Sequence, residues 1–165
     1  MEELKIPENC KLVIFDLDNT LHIESKPGQK LTMTVREIIA YFYVNNIKIA
    51  LASLNKYAEN SLELYHITDY FNCVTRRKNI WECTTLEEYR LSKTRAKTYM
   101  LNEILEKLQI EPSEAILFDD RMRHIYEALK LGMKFSRVNP KRLLDWSNVK
   151  DGFKKFSLKR RYTIY

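Results

Sequence analysis

Apolar and polar positions change their period several times along this chain, and each change marks an element. Residues 12–15, Leu-Val-Ile-Phe, are continuously apolar and read as a short strand buried on both faces. Apolar residues then recur at 35, 38, 39, 42 and 43, a helical stripe beginning near Thr34 and ended by Asn45-Asn46. "IKIALAS" predicts a second strand stopping at Ser53, "KYAENSLELYHI" a helix, and "FNCVTR" a third, weaker strand. Residues 78–93 show no period and are expected to form an irregular insert. Helical spacing returns with Met100, Leu101, Ile104, Leu105 and Leu108 on one face. "EAILFDD" is the next strand, "RMRHIYEALKLG" a helix closed by Gly132, "MKFSRVNP" a last strand and "KRLLDWSNV" a short final helix.

Strands alternating with helices predict an α/β fold: a Rossmann-like three-layer α/β/α sandwich around a mostly parallel sheet. At 165 residues one domain is expected, over 1–152, followed by a basic tail over 153–165. Three predicted strands end in polar residues, at Asp16, Ser53 and Asp119-Asp120. In a parallel sheet these ends share one edge, the edge where open α/β sheets bind ligands.

Composition narrows the class. Hydrophobic residues at 45% and charged residues at 30% exclude a disordered chain. The N-terminus is acidic and polar, so no secretory signal is expected, and the longest apolar run, "IIAYFYV", is too short to cross a bilayer. Cys10, Cys73 and Cys83 lack CxxC spacing, which argues against a zinc site or a disulfide framework and for a reducing interior, cytoplasm or nucleus. The net charge of +6 favours anionic partners. After Asp151 come five Lys or Arg and no acid, and Arg76-Arg77-Lys78 form a second basic cluster. With Phe153, Phe156, Tyr162 and Tyr165 interleaved, the tail has the character of a nucleic-acid contact, or of a segment packed on the domain. A monomer with no membrane partner is expected.

The strand ends carry the chemistry. Asp16-x-Asp18 after one strand and Asp119-Asp120 after another make a carboxylate cluster, which is unfavourable unless a cation or proton neutralises it. Hard oxygen ligands select Mg²⁺ over zinc. Hydroxyls at Thr20 and Ser53 add phosphate donors, and a lysine would complete the charge balance. Phosphoryl transfer fits such a set, because positioning and electrostatics supply most of its catalysis.

"DLDNT" resembles the first motif of the haloacid dehalogenase (HAD) superfamily, "IALAS" its second and "AILFDD" its fourth, in order and at strand ends across roughly 11–139. The chain looks most like the small, nearly capless branch containing magnesium-dependent phosphatases, where the third-motif lysine opens the helix leading into the Asp-Asp strand. Lys97 holds that place, with Lys93 as its rival. The resemblance implies an HAD-like fold with no large cap domain and a Mg²⁺-dependent phosphomonoesterase. Asp16 would be the nucleophile, forming an aspartyl phosphate, and Asp18 the general acid and base. Asp16, the Asp18 carbonyl and Asp119 would hold Mg²⁺, and Asp120 would ligate through water or position Lys97. Ser53 and the Leu54 amide would bind phosphate oxygens, and Lys97 would neutralise developing charge.

Asn19 and His22 replace aromatic residues usual in that branch, so its substrate preference does not carry over. His22 could contact substrate, though its context is more that of a turn histidine without a role, and His66 and His124 are expected on helices, structural or exposed. The insert at 78–93 could form a small lid offering Trp81, Tyr89 or Arg90 to substrate. Three functions follow: a phosphatase acting on phosphoprotein (phosphotyrosine) or sugar phosphate, a polynucleotide 3′-phosphatase, and a catalytically silent binding module that keeps only the fold.

Overall fold

The computed structural model describes residues 3–24, 26, 30–78 and 80–157. Five strands, β1 (Leu12–Phe15), β2 (Lys48–Ser53), β3 (Cys73–Arg76), β4 (Ala115–Asp119) and β5 (Lys134–Arg137), form one parallel sheet in the order β3-β2-β1-β4-β5. The six α-helices among the described residues are α1 (Met33–Val44), α2 (Ala58–Leu64), α3 (Leu86–Thr94), α4 (Ala96–Leu108), α5 (Met122–Leu131) and α6 (Trp146–Ser157).

The continuous apolar runs of β1 and β4 are the centre of the sheet, and every residue in both strands is buried. Alternation along the strands divides the core into two layers. Val13, Phe15, Ile49, Leu51, Ile116 and Phe118 face α1, α2 and α6. Leu12, Ile14, Ala50, Ala52, Ala115 and Leu117 face α4 and α5. The chain extends the sheet from β1 toward β3, then crosses to the other side for β4 and β5. The strand order therefore switches beside β1, the topological position at which such sheets open a crevice.

Local chemistry sets the helix limits. Thr32 caps α1 by accepting a hydrogen bond from the Val35 amide at 3.2 Å. Its far end turns through Asn46 at φ 59°. Gly132, at φ 90°, closes α5 in the left-handed conformation that suits a residue without Cβ.

Two segments differ from the sequence expectation. The insert at 78–93 is not irregular, because it contains α3, capped where Thr85 Oγ1 accepts from the Glu88 amide at 3.0 Å. Lys78 Nζ donates to Glu88 Oε1 (3.0 Å) and Tyr99 Oη (2.9 Å), stapling α3 to α4. The short polar helix lacks a wide apolar stripe, so periodicity could not reveal it.

The last helix begins at Trp146 rather than Lys141 and runs through residues 153–157, which were expected to start the tail. Its start is fixed by Asp145 and Asn148. Asp145 Oδ1 accepts from the amides of Ser147 and Asn148, while Asn148 Oδ1 accepts from the Asp145 amide. Phe153 is buried against the sheet, and Gly152 lies so close to β4 that a Cβ there would overlap Ile116 Cδ1. The rest of the basic segment, 158–165, lies outside the described residues. Among the described residues no helix is long and apolar enough to cross a membrane.

Candidate active site

Strand alternation explains why the candidate residues converge. Asp16 continues the face of Leu12 and Ile14, and Asp119 continues that of Ala115 and Leu117, so both point toward the α4 layer. Register places β1 beside β4, and the Asp16 amide donates to the Phe118 carbonyl at 3.0 Å. Lys97, in the first turn of α4, projects onto the same point. Its Nζ lies 3.0 Å from Asp119 Oδ2 and 3.4 Å from Asp16 Oδ1, and also donates to the Ala52 carbonyl. Lys93 is exposed and lies over the Tyr89 ring, so Lys97 is the lysine that reaches the carboxylates.

Asp119 is fully buried and well supplied with donors. Oδ1 accepts from the Arg121 amide (2.9 Å), and Oδ2 meets both Lys97 and His124 Nδ1, the latter at 2.9 Å. Burial opposes its ionisation, but Lys97 and His124 outweigh that cost and hold the carboxyl well below its usual range. Lys97 is also buried at a cost to its charge. Asp16 and Asp119 more than compensate and keep the ammonium protonated.

Asp16 and Asp120 are in the opposite condition. Burial pushes Asp16 up to about 8, against the pull of Lys97 and with further repulsion from Asp119 and Asp120. Asp120 is also raised, by burial and then by Asp119. Its Oδ1 is a buried acceptor with no hydrogen-bond donor among the described residues. Asp16 and Asp119 share the Lys97 ammonium with Asp120 close by, an excess of acids that a bound cation would relieve.

Asp16, Asp119 and His124 each present a ligand atom within 4.8 Å of the others. Lys97 already occupies the space between Asp16 and Asp119, however, and the His124 contact engages Asp119 further. The oxygens left for a hard divalent cation are those of Asp16 and Asp120, neighbouring acids both raised by burial.

The remaining candidates line the same edge. Ser53 is fully buried at the end of β2, where its Oγ accepts from the Asn55 amide at 3.1 Å and keeps its own proton to donate. The Tyr57 amide donates to Asn55 Oδ1 at 2.9 Å, which fixes the turn carrying Leu54. Thr20 is also fully buried, and its Oγ1 has no partner among the described residues.

Two histidines matter more than their sequence context suggested. His124, five residues beyond Asp119 in the first turn of α5, is the buried partner already described. His22 Nε2 lies 2.7 Å from Asp18 Oδ1, and its ring is buried. The only signal for His22 was its i+4 spacing from Asp18; for His124 it was helix entry directly after an acidic pair. His66 lies just past α2, exposed and at φ 56°.

The acid phosphatase family model matches residues 26–159, the larger part of the chain, including Ser53, Lys97, Asp119 and Asp120 but starting beyond Asp16 and Asp18. No curated protein sequence matches. Among solved structures, an HAD-superfamily hydrolase from Ehrlichia chaffeensis aligns with a TM-score of 0.60 at 15% identity, covering 94% of this chain and 98% of that one. An HAD-like family hydrolase from Streptococcus pneumoniae aligns with a TM-score of 0.60 at 12% identity, over 79% and 85% of the two chains. An HAD-superfamily hydrolase of subfamily IA from Geobacter sulfurreducens gives 0.56 at 14%, over 78% and 87%. At these identities the structural likeness speaks for the fold. Taken with the family match, the chain belongs to the acid phosphatase family, on the Rossmann-like fold of those HAD-superfamily hydrolases, with no large cap among the described residues.

Proposed function

We propose that the chain is a Mg²⁺-dependent phosphomonoesterase that works through an aspartyl phosphate on Asp16. The observation that carries this reading is the Asp16–Lys97–Asp119 constellation at the switch point of the sheet. Asp16 attacks phosphorus, and Asp18, on the more open side of the site, protonates the leaving oxygen and then takes a proton from the hydrolytic water. The Ser53 hydroxyl and the Leu54 amide orient the phosphate oxygens. Lys97, locked by Asp119, balances charge as phosphorus changes partners.

Mg²⁺, held by Asp16, Asp120 and the Asp18 carbonyl, would ionise Asp16 and screen its charge from the phosphate. This exchanges the roles expected for the acidic pair: Asp119 fixes Lys97, and Asp120 becomes the ligand.

A second reading concerns substrate. Arg76 is the register partner of Ser53, and a groove of about 360 Å³ beside it is lined by Lys56, Tyr57, Glu59, Asn60 and Arg76. Lys56 and the exposed Tyr57 there suit a polynucleotide 3′-phosphate, while Arg76 is held by Glu82 at 3.3 Å and Glu59 at 3.8 Å. Oligonucleotide binding that weakens steeply with salt would support that form. The silent-module alternative would fit a chain lacking one of these groups, and Asp16, Asp18, Lys97 and the acidic pair are all present.

The test is phosphate release from p-nitrophenyl phosphate, a phosphotyrosine peptide, a sugar phosphate and a 3′-phosphorylated oligonucleotide, with Mg²⁺ and with EDTA. Turnover only with Mg²⁺ is expected. Equal turnover in EDTA, or none from any substrate by the folded protein, would overturn the reading.

A further inference from the structure

Asp18 is held from behind. His22 Nε2 lies 2.7 Å from Asp18 Oδ1, and His22 Nδ1 lies 2.6 Å from the hydroxyl of Tyr65, whose ring meets the imidazole edge-on. His22 and Tyr65 are 7% and 5% exposed, whereas the Asp18 side chain is 20% exposed, so the chain of contacts runs from the core outward to the site.

The backbone is tied at each end. The amides of Leu21 and His22 donate to the Leu17 carbonyl, and the Asn19 amide donates to the His22 carbonyl at 2.7 Å. Tyr65 ends α2, and its carbonyl accepts from Arg36 Nη1 at 3.1 Å. Packing alone does not call for this arrangement. An apolar pair would fill the same space without desolvating an imidazole and a phenol.

We propose that His22 and Tyr65 form a positioning relay that presents Asp18 to the leaving group as a proton donor; this rests on the phosphomonoesterase reading. Burial, with Asp18 nearby, raises the Tyr65 phenol, which keeps its proton to donate to His22 Nδ1. That contact selects the tautomer in which Nε2–H donates to Asp18 Oδ1. The Asp18 carboxyl is then turned so that its second oxygen faces the site.

In the first step an Asp16 oxygen bonds to phosphorus as the bond from phosphorus to the leaving oxygen breaks. The departing electron pair stays on that oxygen, which takes the proton from Asp18. Asp18 becomes a carboxylate, and its contact with Nε2–H strengthens as charge develops. Dependence on the relay should therefore scale with the need for a proton. An alkoxide leaving group needs one, and nitrophenolate does not.

The experiment compares kcat/KM for p-nitrophenyl phosphate and glycerol 1-phosphate in the wild type, His22→Phe, His22→Gln and Tyr65→Phe. His22→Phe is expected to lower the value for the alkyl ester by about 10- to 100-fold, within the range for general-acid help, and that for the aryl ester by about 3-fold or less. His22→Gln retains an amide donor and should recover much of the alkyl-ester rate, while Tyr65→Phe should show the same bias more weakly. Equal losses on both esters, or none, would overturn the relay. Should His22→Phe fail to fold, His22→Gln and Tyr65→Phe carry the same comparison. Wild-type protein inactive on both esters would instead overturn the phosphomonoesterase reading beneath it.

Discussion

The ammonium of Lys97 lies 3.0 Å from Asp119 Oδ2, with both side chains sealed from solvent. The pair joins the first turn of α4 to the end of β4, holding one charge of each sign where neither could be hydrated. Removing one partner leaves the other buried and unbalanced. Lys97→Met should therefore abolish activity and cost about 3–5 kcal/mol of stability. Urea unfolding at pH 7 checks this, and a loss under about 1 kcal/mol would show that the pair is not a buried anchor.

Asp16 makes the opposite contribution when no metal is bound. Its carboxyl titrates near 8 in the folded protein, well above an unfolded aspartate. Between the two values the folded state holds the extra proton, so this group's stability contribution is full at low pH and lost as pH rises toward 8. Asp16→Asn should raise the Tm of EDTA-treated protein at pH 8, each kcal/mol being worth roughly 2–4 °C at this chain length. At pH 4 the gain should vanish. Differential scanning calorimetry at the two pH values reads the difference.

The exchange of roles within the acidic pair is testable by metal binding alone. At 100-fold excess over its Kd, Mg²⁺ should stabilise the wild type by about 2.7 kcal/mol. Asp120→Asn should fold normally and lose that response, because it removes the carboxylate whose Oδ1 has no donor. Thermal unfolding across a Mg²⁺ titration makes the comparison, and an undiminished response in Asp120→Asn would return the ligand role to Asp119.

Most of this architecture is legible in the chain. The runs at 12–15 and 115–119 are so apolar that only a doubly covered strand can use them, and the polar residue ending each one locates the site edge. Alternation also says, in principle, that Asp16 and Asp119 share a face and Asp120 does not, which separates the two acids. Hidden instead were interactions that cross the chain. Nothing local links His22 to Tyr65 across 43 residues, and His124, five residues from Asp119, had only its place at the helix entry to mark it. The end of α6 was obscured because Lys154 and Lys155 belong to a basic run, while Val149 and Phe153 of the same helix are buried.

That helix offers a packing test. Gly152→Ala gains about 1 kcal/mol in helix propensity but forces a methyl into Ile116 Cδ1, and overpacking typically costs about 1–3 kcal/mol. A net destabilisation of about 0–2 kcal/mol is expected. Ile116→Val removes the opposing methyl, so the double variant should be more stable than the sum of the two single changes predicts. Chemical denaturation of the four proteins completes the cycle, and strict additivity would contradict the close approach of α6 to β4.

Turnover through Asp16 requires that its carboxylate become covalently phosphorylated. An acyl phosphate, unlike a free carboxylate, is reduced by borohydride, converting an aspartate to homoserine. Protein mixed with Mg²⁺ and substrate, acid-quenched during turnover and reduced, should yield homoserine at position 16 in the peptide mass spectrum. No such product should appear without substrate. Steady turnover with position 16 unmodified, or with the reduced residue elsewhere in the chain, would contradict the account.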